Sequence, residues 1–147
     1  MAVRAYMFAG QGAQHPGMGM DLYETSPAAK AVFDMGEQLR PGTLEQCFRG
    51  TAEALNETVN AQPCLFLTDL AAAAALDEAT GRQADVCAGF SLGEIAALAY
   101  AGILSYEDAF RLVVCRGEAM DACSKRTPGG MAAVLRLDEN TVKDLCA

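Results

Sequence analysis

The pentad Gly89-Phe90-Ser91-Leu92-Gly93 sets a serine between two glycines. It follows the apolar run Asp85-Val86-Cys87-Ala88 and precedes the alanine- and leucine-rich run Glu94 to Ala101. A serine hydroxyl becomes an accessible nucleophile when a sharp strand-to-helix turn holds it above a sheet. A turn that tight needs neighbours without a Cβ and tolerates strained backbone. Strand, turn, helix and a stop at Gly102 occur here in that order. The pattern therefore predicts Ser91 as a nucleophile rather than a buried, inert serine. In such an elbow the residue after the nucleophile, here Leu92, offers its backbone N–H to the oxyanion formed on attack.

The elements that must position this serine read as an α/β domain. Ala5 to Ala9 is an apolar first strand, running into the glycine-rich loop Gly10 to Gly17. Ser26-Pro27 predicts a helix start, with a capping hydroxyl and a proline at the first helical position, and the helix runs to about Leu39. A short helix follows from Leu44 to Arg49, then a polar connection through Asn60. Pro63 is expected to open a long helix that ends at Thr80 before Gly81. After the elbow helix, Ser105-Tyr106-Glu107-Asp108 resembles a capping box and starts a helix to Met120 or beyond. Thr127-Pro128-Gly129-Gly130 breaks the chain, Met131 to Leu137 reads as a strand, and Asp138 caps a last helix. The alternation implies a parallel sheet with helices on both faces.

Composition narrows the function classes. The chain has 147 residues, 52% of them hydrophobic and 20% charged, which suits a globular domain with its own core. A net charge of −8 argues against nucleic acid as a partner. The longest uninterrupted apolar stretch, Leu70 to Leu76, is short for a bilayer span, so no membrane association is expected. The first residues lack the basic and apolar regions of an export signal, so the expected location is cytoplasmic. Cysteines at 47, 64, 87, 115, 123 and 146 show no C-x-x-C spacing, and several fall at apolar positions of predicted elements. With His15 as the single histidine, no metal site is expected.

The residues resemble the malonyl-CoA:acyl carrier protein transacylases and the related acyltransferase domains of polyketide synthases. The resemblance rests on Gly10-Gln11-Gly12-Ala13-Gln14, Gly17-Met18-Gly19, Asn60-Ala61-Gln62-Pro63 and Gly89 to Glu94. It continues through Ala101-Gly102, Arg116-Gly117-Glu118-Ala119-Met120 and Gly130 to Val134. It implies that Ser91 takes malonyl from coenzyme A as an ester and passes it to the phosphopantetheine thiol of an acyl carrier protein, with no cofactor. It implies oxyanion donors at the backbone of Gln11 and Leu92, with Arg116 reading the malonyl carboxylate. It implies that residues 1–127 belong to a large hydrolase-like subdomain, and that 128–147 begin a ferredoxin-like small subdomain.

Two departures accompany the resemblance. Phe90 stands where the family usually has histidine, which alters the pocket wall. The family's catalytic histidine lies in a further half of the domain, so the isolated chain is expected to have little or no activity unless a partner chain supplies that half. His15 reads as a loop residue rather than a replacement base. The alternatives are a non-catalytic binding fragment and a serine esterase, against which Arg116 argues. Lys125-Arg126, the only adjacent basic pair, is the expected border of the acyl-donor entrance for an acidic carrier.

Overall fold

The computed structural model describes residues 3–127, 129 and 134–146. Strand β1 (Ala5–Phe8) pairs in parallel with β2 (Val86–Gly89), in the register Ala5 to Val86 through Phe8 to Gly89. Helices α1 (Met20–Thr25), α2 (Pro27–Leu39), α3 (Thr43–Arg49), α4 (Ala52–Asn56) and α5 (Thr58–Thr80) lie between the strands in sequence. Helices α6 (Leu92–Tyr100), α7 (Tyr106–Arg126) and α8 (Glu139–Cys146) follow.

The core is built around α5, which packs against α2, α6 and α7. Phe33 from α2, Phe66, Leu67 and Leu70 from α5, Leu92 from α6, and Phe110 and Val113 from α7 are all fully buried. By length and composition α5 is apolar enough to cross a membrane, and most of its apolar window is instead buried in this core. Its alanines allow close approach; Leu67 occupies the space a side chain at Gly36 of α2 would need.

Several local rules operate as the sequence predicts. Ser26 Oγ accepts from the Ala29 N–H at 3.1 Å, with Pro27 at the first helical position. Gly81 closes α5 in the left-handed region at φ 63°. Asp138 Oδ1 accepts from the N–H groups of Asn140 and Thr141, starting α8.

Other expectations are corrected. The capping box is half formed: Ser105 Oγ accepts from the Asp108 N–H at 3.0 Å, while the Asp108 carboxylate turns to Arg111. Pro63 does not open α5 but lies inside it, after a first turn held by the Asn60 and Ala61 N–H groups on the Glu57 carbonyl. Within the expected strand Met131 to Leu137, residues 134–137 form no strand, having no partner strand among the described residues, and 131–133 lie outside those described.

Helices also cover only one face of the sheet among the described residues. On that face Tyr6 and Phe8 meet the Tyr100 ring at 5.3 and 5.6 Å between centroids, and the Cys87 thiol donates to the Ala97 carbonyl. Tyr6 and Tyr100 both donate to Asp77 of α5, locking β1, α5 and α6 together. On the opposite face Met7 is 87% and Val86 54% exposed.

Asp69 of α5 sits beside β1 with one carboxylate oxygen buried and unpaired among the described residues. Burial pushes its carboxyl up to about 7, partly offset by the Ala9 N–H. Between the ordinary aspartate value and about 7 the folded chain therefore holds more protons than the unfolded one, so this group makes stability fall as pH rises through that window. Asp69→Asn is expected to flatten that part of the thermal-stability profile; an unaltered slope in the variant would contradict the assignment.

Candidate active site

Ser91 is the hinge between β2 and α6, with φ 54° and ψ −105°, a strained pair for a residue carrying a Cβ. Both flanking glycines are steric requirements. A Cβ at Gly89 would lie 2.0 Å from the Gly93 carbonyl carbon, and one at Gly93 would lie 2.2 Å from the Phe8 carbonyl oxygen. Gly10 is equally tight: a Cβ there would lie 2.6 Å from both the Phe90 carbonyl oxygen and its ring. These contacts clamp the loop after β1 against the serine turn. Gly93→Ala is expected to cost about 1–3 kcal/mol or more as an overpacking change against rigid backbone. Urea unfolding checks this against Gly129→Ala, where the nearest atom to a new Cβ among the described residues is 3.8 Å away.

The turn leaves the Ser91 side chain exposed, without a capping bond to its own helix. Its Oγ instead accepts from Arg116 Nη2 at 3.0 Å. Arg116 arrives from α7, which comes close to α5 at Gly117, where a Cβ would stand 3.3 Å from the Thr58 carbonyl. Its second guanidinium nitrogen, Nη1, donates to Gln62 Oε1 at 2.7 Å. Gln62 is fully buried, and its Nε2 donates to the Met120 sulfur at 3.1 Å. One amide thus holds the guanidinium while one turn of α7 holds the amide.

Gln11 approaches from the other side. Its Nε2 donates to Thr58 Oγ1 at 3.1 Å, and Gln14 tethers the same loop by accepting from the Gly12 N–H and donating to Asn56. Gln11, Gly12, Gln14, Asn56, Phe90, Ser91 and Met120 line one groove of about 550 Å³. The Gly93 and Glu94 N–H groups are taken by the carbonyls of Phe90 and Ser91. Those of Gln11 and Leu92 have no partner among the described residues.

The structure brings Arg116 onto Ser91 and sets Gln11 and Ser91 on one groove, with Leu92 adjoining in the chain. It does not bring His15 to them: that ring rests against the Pro16 carbonyl in the exposed loop and does not line the groove. Nor do Lys125 and Arg126 border it; Lys125 pairs with Asp121 at 2.7 Å, and Arg126 turns to the Cys123 sulfur. Sequence reasoning missed Gln62 as a site residue, reading it as part of a helix start. No local signal marks it, because its partner Arg116 stands 54 positions away in the chain.

The acyl transferase domain family matches residues 5–146. This chain belongs to that family. It is 42% identical over 146 residues to a malonyl CoA-acyl carrier protein transacylase of Bacillus subtilis, covering 99% of this chain and 46% of the relative. The crystal structure of a Clostridium perfringens malonyl CoA-acyl carrier protein transacylase superposes with a TM-score of 0.85 at 33% identity, over 98% of this chain and 46% of that one. A malonyl-transacylase solved with a type II polyketide acyl carrier protein matches at a TM-score of 0.84 and 31% identity, over 99% of this chain and 47% of that one. The chain thus spans about half the length of the relatives it matches. The α/β architecture with its small parallel sheet is the one found in those structures.

Proposed function

We propose that this chain supplies the nucleophile, oxyanion donors and acyl-reading arginine of a malonyl transferase. The donor is malonyl-CoA, and the acceptor is the phosphopantetheine thiol of an acyl carrier protein. The carrying observation is the Arg116 guanidinium on Ser91 Oγ at 3.0 Å. A malonyl group has a thioester carbonyl for the serine and a carboxylate for the arginine, and a planar fork matches a carboxylate with two parallel hydrogen bonds.

In the proposed reaction the Ser91 oxygen forms a bond to the thioester carbon while its proton passes to a general base. The carbonyl electron pair moves to oxygen, where the N–H groups of Gln11 and Leu92 receive it; one such donor is worth about 3 kcal/mol in the transition state. Collapse breaks the carbon–sulfur bond and coenzyme A leaves with a proton, giving a malonyl ester on Ser91. The carrier thiol then attacks that ester by the same route, and Ser91 regains its proton. No metal or organic cofactor is needed. The resemblance assigns the base to the half of the domain beyond these residues, and a serine without a base is a weak nucleophile.

The test is intact mass after mixing with malonyl-CoA, on this chain and on a fusion extending it with the unmatched half of the Bacillus subtilis relative. A malonyl adduct on Ser91 of the fusion, discharged by a thiol acceptor, supports the proposal. Discharge to water alone indicates an esterase, and coenzyme A binding without an adduct indicates a binding module.

A further inference from the structure

The loop between β1 and α1 carries Gln11, whose N–H is one of the two proposed oxyanion donors, and it forms neither helix nor strand. Its ends are fixed by backbone. Gly10 is wedged under the Phe90 turn, and the Gly17 N–H donates to the Cys47 carbonyl of α3 at 3.1 Å. From Gln11 to Gln14 no backbone–backbone hydrogen bond holds the loop among the described residues. Gly12 turns there with φ 117°, a conformation that only glycine adopts readily. Two amide side chains do the holding instead. Gln11 Nε2 donates to Thr58 Oγ1 at 3.1 Å, while Gln14 Oε1 takes the Gly12 N–H at 2.7 Å and Gln14 Nε2 donates to Asn56 Oδ1 at 3.2 Å. Both anchors stand at the junction of α4 and α5.

We propose that Thr58 is a positioning residue for acyl transfer, setting the Gln11 N–H where the thioester oxygen takes up charge. The proposal rests on the transfer reaction above and deepens it. Thr58 does not line the groove, so it acts through Gln11 rather than on the substrate. Its hydroxyl is not needed to start α5: the helix begins at Glu57 without a side-chain cap, with the Asn60 and Ala61 N–H groups on the Glu57 carbonyl. The platform under it is braced. Asn60 Nδ2 donates to the Ala54 carbonyl at 3.0 Å and to Glu57 Oε2 at 3.2 Å, tying α4 to the first turn of α5.

Thr58 and Gln62 stand four residues apart and so share one face of α5. Thr58 ties the oxyanion loop, and Gln62 ties the Arg116 guanidinium at 2.7 Å. One helix face thereby spaces the donor for the thioester oxygen from the reader of the carboxylate. The two ties serve different parts of the substrate. Every acyl thioester develops the oxyanion, whereas malonyl has a carboxylate and acetyl has none. Loss of the Thr58 tie must therefore weaken transfer of both groups alike.

Thr58→Val in the fusion described above tests this, because valine keeps the shape and removes the acceptor. The kcat for loading Ser91 should fall about tenfold with the Gln14 tie still in place, against about a hundredfold for a catalytic group displaced by a full ångström. The fall should be equal for malonyl-CoA and acetyl-CoA, with KM unchanged for both, and Thr58→Ser should restore most of the rate. Unchanged loading, a fall confined to malonyl-CoA, a change carried by KM, or no rescue by serine would each overturn the proposal. A second reading needs no transfer. In the 147-residue chain, amide hydrogen exchange across residues 10–17 should run severalfold faster in Thr58→Val than in the unsubstituted chain, with α7 unaffected. Equal exchange would overturn the tether. An unsubstituted fusion that takes up no malonyl would instead sink the proposed reaction, so the two failures are distinct.

Discussion

Ser91→Ala is expected to abolish the malonyl adduct in the fusion, with a rate loss on the order of 10⁶-fold, the scale seen when the serine of a coupled nucleophile–base unit is removed. Among the described residues nothing else in the groove can replace it. Its lining consists of amides, a glycine, a phenylalanine and a methionine around the one hydroxyl. The variant should fold normally, because the Ser91 side chain is exposed and makes no cap to α6. Ser91→Gly offers a sharper contrast. The backbone at φ 54° and ψ −105° is strained for any residue with a Cβ, and strain of this kind costs about 1–3 kcal/mol. The glycine variant should therefore be as inactive as alanine yet unfold at a higher urea concentration. Intact mass reads the first effect and urea unfolding the second. An adduct persisting in Ser91→Ala would move the nucleophile elsewhere.

The parts of this arrangement visible in the sequence were those set by local chemistry. The elbow was legible because glycines at 89 and 93 are demanded by backbone contacts under 2.5 Å, and such demands leave a residue-type signature. Ser26, Ser105 and Asp138 were legible as helix starts because a capping oxygen acts within three residues. What stayed hidden was fixed by tertiary contacts. Asn60 read as loop, yet it is buried: its Oδ1 accepts from Arg40 and Gln46, and its Nδ2 donates to the Ala54 carbonyl. That network lets α5 begin at Thr58 and carry Pro63 in its interior. Val86 reads as buried from its apolar neighbours and is exposed, since an apolar run does not say whether another layer covers it. The role of Gln62 needed α5 and α7 together, which no local pattern encodes.

Arg116→Ala is expected to remove malonyl transfer selectively, weakening it by about 2–5 kcal/mol, the cost of leaving a charged partner without its counterpart in a closed site. Acetyl-CoA lacks the carboxylate, so acetyl loading should change far less. Arg116→Lys separates charge from shape. Lysine keeps the positive charge but not the planar fork, so most of the selectivity should be lost despite the retained charge. The geometry also offers a competing role, because Nη2 touches the nucleophile itself at 3.0 Å. If Arg116 served chiefly to orient Ser91, malonyl and acetyl loading would fall together. Gln62→Leu bears on the same question from behind the guanidinium. It removes the acceptor of Nη1 and frees the arginine to swing, while leaving Ser91 and its strained turn untouched. A carboxylate-reading arginine then predicts a raised KM for malonyl-CoA and little change for acetyl-CoA. Equal losses for both donors, in both variants, would transfer Arg116 from reading the substrate to positioning the serine.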